Sequence, residues 1–312
     1  MANALQDGSL RIGIDLGGTK IEIIALDAAS SAVRAQRRIC TPRFDYLATL
    51  QAIRDLVTTV ESELKQTGTV GIGMPGTLSP ATGLVKNANS TWLNGRPLSQ
   101  DLESLLARPL RFANDADCFA LSEATDGAAA GAQNIFGVII GTGVGGGMII
   151  NGRPLTGPNG IAGEWGHNPL PWPEPEELPG PNCYCGLSGC IETWLSGPGL
   201  SRDHQIHTGE ACNAAAIAKA AASHDPAAEA TLDRYDQRLA RALASVINIL
   251  DPKVVVLGGG LSQLTHLYER IPQLWERYVF SDTVTTKLVP PCFGDASGVR
   301  GAAWLWSLSD RP

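Results

Sequence analysis

Cys183, Cys185 and Cys190 fall within the eight residues "CYCGLSGC", a C-x-C-x4-C spacing in a chain that otherwise scatters its thiols. Thiols this close make either a disulfide with one to spare or a metal cluster, and inside a cell the cluster is commoner. Tetrahedral zinc asks for a fourth ligand, and His167, upstream across a proline-rich stretch, supplies it. Four protein ligands would close the site, so the zinc is structural and stands outside the chemistry. It would staple a long loop whose two ends carry Glu164 and Glu192.

Three glycine turns offer a second kind of chemistry: "DLGGTK" (15–20), "GTGVGGG" (141–147) and "LGGGLS" (257–262). Each sits at the end of an apolar run, where glycines bare consecutive backbone N–H groups that can cradle an anion. One such turn is an ordinary hairpin; three suggest a nucleoside triphosphate. None is G-x-x-x-x-G-K-[ST] opening a helix, so this is not a Walker A site. Asp15 could meet the phosphates only across a cation, and a hard oxygen ligand suits Mg²⁺; otherwise it caps a turn. "ANDADC" adds two carboxylates, of which Asp115 directly ends a strand. Asp117 falls at a helix start, where a solvated acid complements the dipole.

These groups need elements to hold them. "LRIGIDLGGTKIEIIALD" (10–27) reads as strand, turn and strand, followed by a helix over 46–65. "TVGIGMPG" (69–76) is a buried strand and "RPLRFAND" (108–115) another that opens into an Ala-rich helix. "IFGVIIGTGVGGGMIING" (135–152) repeats the opening pattern. Six prolines make 168–182 an irregular loop, and residues 215–250 are helical until Asp251-Pro252 stops them. "KVVVLGGGLS" is strand, turn and helix start, and "SGVRGAAWLW" is a short final helix that returns to the first half. The expected division is 1–118 with 296–312 as a small α/β lobe, and 119–295 as a larger α/β lobe holding the zinc loop. A length of 312 residues supports two cores.

A formal charge of −7 argues against nucleic acid, whose binders carry a basic footprint. The first residues lack a signal-peptide pattern and no apolar run nears the ~20 residues of a membrane span, so a cytoplasmic protein is expected. Cys40, Cys118, Cys212 and Cys292 read as buried small hydrophobes, and the four histidines other than His167 as solvent-exposed.

"GIDLGGTK", "GMPG", "KNANSTW", "ANDADC", "IIGTGVGGG", "GEWGH", "CYCGLSGCIET" and "VVVLGGG" follow one another in the order in which they stand in the ROK family of sugar kinases, and the chain resembles that family from about 10 to 307. The resemblance implies a two-lobed actin-like and hexokinase-like ATPase fold, ribonuclease H-like in each lobe, with the active site in an interlobe cleft that closes on sugar. It implies ATP held by Gly13, Asp15, Gly17, Gly18, Thr19 and Lys20, by Gly141, Thr142, Gly143 and Gly145, and, near the adenosine, by Gly258, Gly259 and Gly260. Asp115 becomes the general base, and Gly76, Asn89, Asn114, Asp115, Glu164, His167 and Glu192 the sugar contacts. His167 would serve zinc with one ring nitrogen and sugar with the other. Within the family, "KNANSTWLNG", "GEWGHNPLPW" and "SGVRGAAWLW" resemble the bacterial fructokinases, which implies transfer to the 6-hydroxyl of fructose, with mannose or glucose slower. N-acetylglucosamine kinase or glucokinase is the alternative, and a homodimer is the family habit. A sugar-sensing repressor would need a DNA-binding domain ahead of Leu10, where nine residues stand; a dead scaffold is disfavoured by intact Asp15, Asp115 and Glu164.

Overall fold

The computed structural model describes residues 10–306. These divide into two units: one holds residues 10–130, Arg153–Ala162 and residues 295–306, the other Gly131–Gly152 and Gly163–Gly294.

In the first unit, β1 (Leu10–Leu16), β2 (Lys20–Asp27) and β3 (Val33–Cys40) form an antiparallel meander; β4 (Gly68–Met74) and β7 (Leu110–Asn114) join parallel to β1, giving the order β3-β2-β1-β4-β7. A ribbon of β5 (Thr77–Leu78) and β6 (Val85–Lys86) stands beside it. Period-two alternation decides the faces. Ile21, Ile23 and Ala25 pack with Ile53, Val57 and Val60 of α1 (Tyr46–Leu64), whereas Ile24 and Leu26 pack with Val299 and Ala303 of α9 (Ser297–Trp304). Backbone contact seats α9: a Cβ on Gly13 would lie 2.1 Å from the Val299 carbonyl oxygen, and one on Gly71 1.9 Å from that of Ala302. α9 also packs on α3 (Asp115–Thr125), with Gly301 against the Cys118 carbonyl, so α3 belongs wholly to this unit. The expected break after residue 118 would have cut that helix; the division falls at Ala130 instead. α2 (Leu98–Leu106) and β10 (Arg153–Pro154) complete the unit.

The second unit repeats the plan. β8 (Asn134–Ile140) and β9 (Val144–Ile150) form a hairpin, and β11 (Val254–Gly258) and β12 (Lys287–Val289) add parallel strands in the order β9-β8-β11-β12. Over the sheet lie α4 (Ile191–Leu195), α5 (Gly197–Thr208), α6 (Ala214–Ala222), α7 (Pro226–Leu250) and α8 (Leu267–Trp275). The single helix expected over 215–250 is two, because Pro226 tolerates only a first turn; Asp225 caps that turn, accepting from the Ala228 N–H at 2.8 Å. The proline-rich loop is tethered to α7. Glu177 accepts from Arg241 Nη2 at 2.8 Å and from Arg238 Nε at 2.8 Å, all three side chains being buried. Among the described residues no helix is long and apolar enough to cross a membrane.

Candidate functional site

In the first unit the glycine turn joins β1 to β2. The Gly17 N–H donates to the Lys20 carbonyl at 2.9 Å, and Thr41 pins the turn from β3's end, its hydroxyl donating to the Gly17 carbonyl at 2.8 Å. Ser90 Oγ would be 3.0 Å from a Cβ on Gly18, so a side chain there would crowd the 87–90 loop. Lys20 Nζ stands 3.6 Å from buried Glu22, which Arg38 also holds. Gly13, expected among the ATP contacts, lies mid-strand against α9, where the close approach of the helix requires glycine.

Asp15 ends β1 beside Asp115. Burial first, then the Asp115 charge, pushes its carboxyl up to about 6. A divalent cation between such acids would relieve both penalties, so the donor set fits Mg²⁺. Asp115 is exposed on the first turn of α3, its Oδ1 accepting from the Ala116 N–H at 2.8 Å. Asn114 is the cap, accepting from the Asp117 N–H at 2.6 Å. Asp117 is buried, 9% exposed, and not the solvated acid expected from its helix-start position. α3 turns inward at that residue. Gly76 has φ +72°, and a Cβ on it would meet the Lys86 carbonyl oxygen at 2.3 Å, so the ribbon dictates it. Asn89 is exposed, whereas Asn94 organises the loop: its Oδ1 accepts from the Ala88 N–H and its Nδ2 donates to the Ala88 carbonyl, both at 2.9 Å. That clamp was missed because nothing separates Asn94 from other turn asparagines in sequence.

In the second unit the Gly141–Gly143 turn is held by the segment that follows the cysteines. Glu192 Oε2 accepts from the Val144 N–H at 2.9 Å and would lie 2.7 Å from a Cβ on Gly143; the Gly197 N–H donates to the Gly141 carbonyl at 2.7 Å. A Cβ on Gly141 would be 3.9 Å from the Gly260 amide, so the second and third glycine turns adjoin. Gly258 closes β11, Gly259 needs its φ of +81°, and Thr142 is exposed. The Gly145 carbonyl accepts from Trp165 Nε1 at 3.2 Å. Segment 163–167 lies on β9 in backbone contact: Cβ atoms on Gly163 and Gly166 would each stand 2.2 Å from a β9 carbonyl oxygen. That seating presents Glu164 exposed at the head of a short 3-10 turn, with His167 at its end.

The structure gathers His167, Cys183, Cys185 and Cys190 so that their ligand atoms lie within 4.8 Å of one another. Cys183 Sγ is 3.5 Å from His167 Nδ1 and Cys185 Sγ 3.6 Å from Cys190 Sγ. Donors around tetrahedral zinc with legs of roughly 2.0–2.3 Å sit roughly 3.3–3.8 Å apart, so the set fits that metal. The Leu187 backbone N–H holds the Cys185 thiol below its ordinary range, while burial, then the neighbouring thiols, pushes Cys190 up to about 12. His167 Nε2 meets Tyr184 Oη at 2.9 Å, so the nitrogen expected to touch sugar has a protein partner. Of the other cysteines only Cys118 is buried; Cys40 and Cys292 are exposed and Cys212 half-buried. Cys118 lies inside α3, Cys40 ends β3, and Cys212 and Cys292 lie in connecting segments, so their exposure follows from neighbours on which sequence is silent. His204 is buried, not exposed.

The ROK family model matches residues 11–308. The chain belongs to the ROK family. This ROK protein is 40% identical over 297 residues to the N-acetyl-D-glucosamine kinase of Photobacterium profundum, covering 94% of the chain and 98% of the relative. It is 39% identical to the N-acetylgalactosamine kinase AgaK of a Shewanella species, covering 94% and 95%. Among solved structures, the ROK hexokinase of Thermus thermophilus superposes with a TM-score of 0.84 at 30% identity over 94% of this chain and 96% of that one. A ROK glucokinase of Streptomyces griseus, crystallised with glucose and AMPPNP, gives 0.73 at 25% identity, over 95% and 98%.

Proposed function

We propose that this ROK-family sugar kinase transfers the γ-phosphoryl of ATP to the 6-hydroxyl of a hexose, with N-acetylglucosamine as the preferred acceptor. The curated relatives at about two-fifths identity, named N-acetylglucosamine and N-acetylgalactosamine kinases, support that acceptor over fructose. The observation that carries the chemistry is exposed Asp115 on the first turn of α3 beside partly buried Asp15. In this reading Asp115 takes the hydroxyl proton as the new O–P bond forms and the bond to ADP breaks. The three glycine turns hold the phosphates through main-chain amides. Asn114, Glu164 and Glu192 bind the sugar hydroxyls. Asp15 holds Mg²⁺, which supplies neutralisation of the developing phosphate charge. His167, Cys183, Cys185 and Cys190 hold zinc, which supplies rigidity to the segment bearing Glu192.

Fructose is the second reading, favoured by "KNANSTWLNG", "GEWGHNPLPW" and the final helix. A coupled ADP-release assay over N-acetylglucosamine, N-acetylgalactosamine, glucose, mannose and fructose ranks them by kcat/KM. N-acetylglucosamine leading supports the proposal; fructose leading replaces it with the second reading. No turnover with any of them, or an Asp115→Asn enzyme at full rate, overturns the mechanism.

A further inference from the structure

Outside that machinery, α5 ends in an arrangement that the proposed reaction does not use. Within nine residues the chain reads "HQIHTGEAC", and Gly209, with φ +80°, ends the helix and reverses the chain. That reversal brings Glu210 and Cys212 back toward His204: a His204 ring nitrogen, a Glu210 carboxylate oxygen and Cys212 Sγ lie within 4.8 Å of one another.

His204 is 4% exposed, so its ring must satisfy its polar atoms within the fold. Nδ1 meets Thr231 Oγ1 at 2.9 Å, and Thr231 spends its hydroxyl hydrogen on the Ala227 carbonyl, also at 2.9 Å. Thr231 therefore only accepts from the ring, so Nδ1 carries the proton and the lone pair stands on Nε2. A buried imidazole oriented and tautomerically fixed by such a partner is how proteins prepare a metal ligand. The neighbouring acid is otherwise engaged: Asp203 is held by Arg234 at 2.8 Å and Arg238 at 2.7 Å.

We infer that His204, Glu210 and Cys212 form a second site for a borderline divalent cation, Zn²⁺ in particular. A thiolate with an imidazole selects zinc over Mg²⁺ or Ca²⁺, and one carboxylate completes three protein ligands with a position left for water. Binding requires Cys212 to release its thiol proton to solvent. Tetrahedral donors sit roughly 3.3–3.8 Å apart, and these ligand atoms lie within 4.8 Å of one another, so any movement that closes the site is small. Exposed Glu210, on the segment between α5 and α6, can supply that movement, and the cation would then tie this segment to the end of α5.

The test is zinc stoichiometry of the full-length protein after equilibration with Zn²⁺ and gel filtration, beside Cys212→Ser. Wild type should carry one zinc more than the variant, whatever the Cys183 centre holds. That extra ion should be the first lost to a weak chelator. Thr231→Val, which keeps the shape but removes the acceptor for Nδ1, should weaken it roughly 10–100-fold. Co²⁺ titration of protein whose Cys183 centre is already filled with zinc gives an independent reading: wild type should gain a thiolate-to-cobalt band that Cys212→Ser does not gain and Glu210→Gln weakens. Equal zinc content in wild type and Cys212→Ser, with identical cobalt spectra, overturns the assignment.

Discussion

Replacing Glu192 by Ala separates two jobs that one side chain can hold. Expected as a sugar ligand, Glu192 also accepts the Val144 N–H at 2.9 Å and closes on Gly143 at the second glycine turn. Val144 is 8% exposed, so truncation strands a buried amide. Losing a charged acceptor costs about 1.5–3 kcal/mol, and each 1.4 kcal/mol is tenfold in affinity. If the turn binds phosphate, Glu192→Ala should weaken binding of a non-hydrolysable ATP analogue with Mg²⁺ roughly 10- to 150-fold, even with no sugar present. One opposing effect must be weighed, since removing an anion about 4 Å from a phosphate charge is favourable by about 1 kcal/mol in bulk water and about 4 kcal/mol near a protein surface. Glu192→Gln resolves it, because the amide oxygen still accepts from Val144 while the charge is gone in both variants. Calorimetry without sugar should therefore find Ala roughly 10- to 150-fold weaker than Gln. The bracing role is refuted if Ala binds the analogue as tightly as Gln does.

Asp15 has its carboxyl raised from 3.8 to about 6, so its contribution to stability is complete below 3.8 and is lost as pH rises through 6. Without Mg²⁺, Asp15→Asn should be more stable than wild type by about 3 kcal/mol at pH 8 and equal to it near pH 3.5, read by urea melts; a gap independent of pH contradicts this. In metal-free protein Cys185, exposed and with a lowered thiol, should alkylate before buried Cys190, and added zinc should protect both; mass spectrometry of iodoacetamide-treated protein would show the order. In α9, Gly301→Ala drives a Cβ into the Cys118 carbonyl and should cost roughly 3 kcal/mol or more. Gly298→Ala, with nothing within 4 Å, should gain about 0.5–1 kcal/mol, and the two melts moving in the same direction would refute the packing argument.

Short-range signals were legible from the residues alone. The glycine turns between paired strands, the passage from strand to Ala-rich helix at "ANDADC" and the three-cysteine spacing each lie within a few residues, where backbone sterics and donor valence act without help from the rest of the chain. Pro226 carried the helix break in plain sight, and the continuous apolar pattern around it masked the signal.

Long-range decisions belonged to the tertiary structure. Gly13, Gly71 and Gly301 are glycines because a helix from residues 297–304 lies against β1, β4 and α3. Glu177 is buried because two arginines sixty residues later meet it, and Glu192 braces an amide 48 positions earlier. Sequence periodicity says which side of an element is apolar; it does not say which backbone will arrive there. Burial follows from that arrival. The same ignorance misplaced Asp117, His204 and three of the four scattered cysteines, whose exposure is fixed by neighbours that only folding supplies.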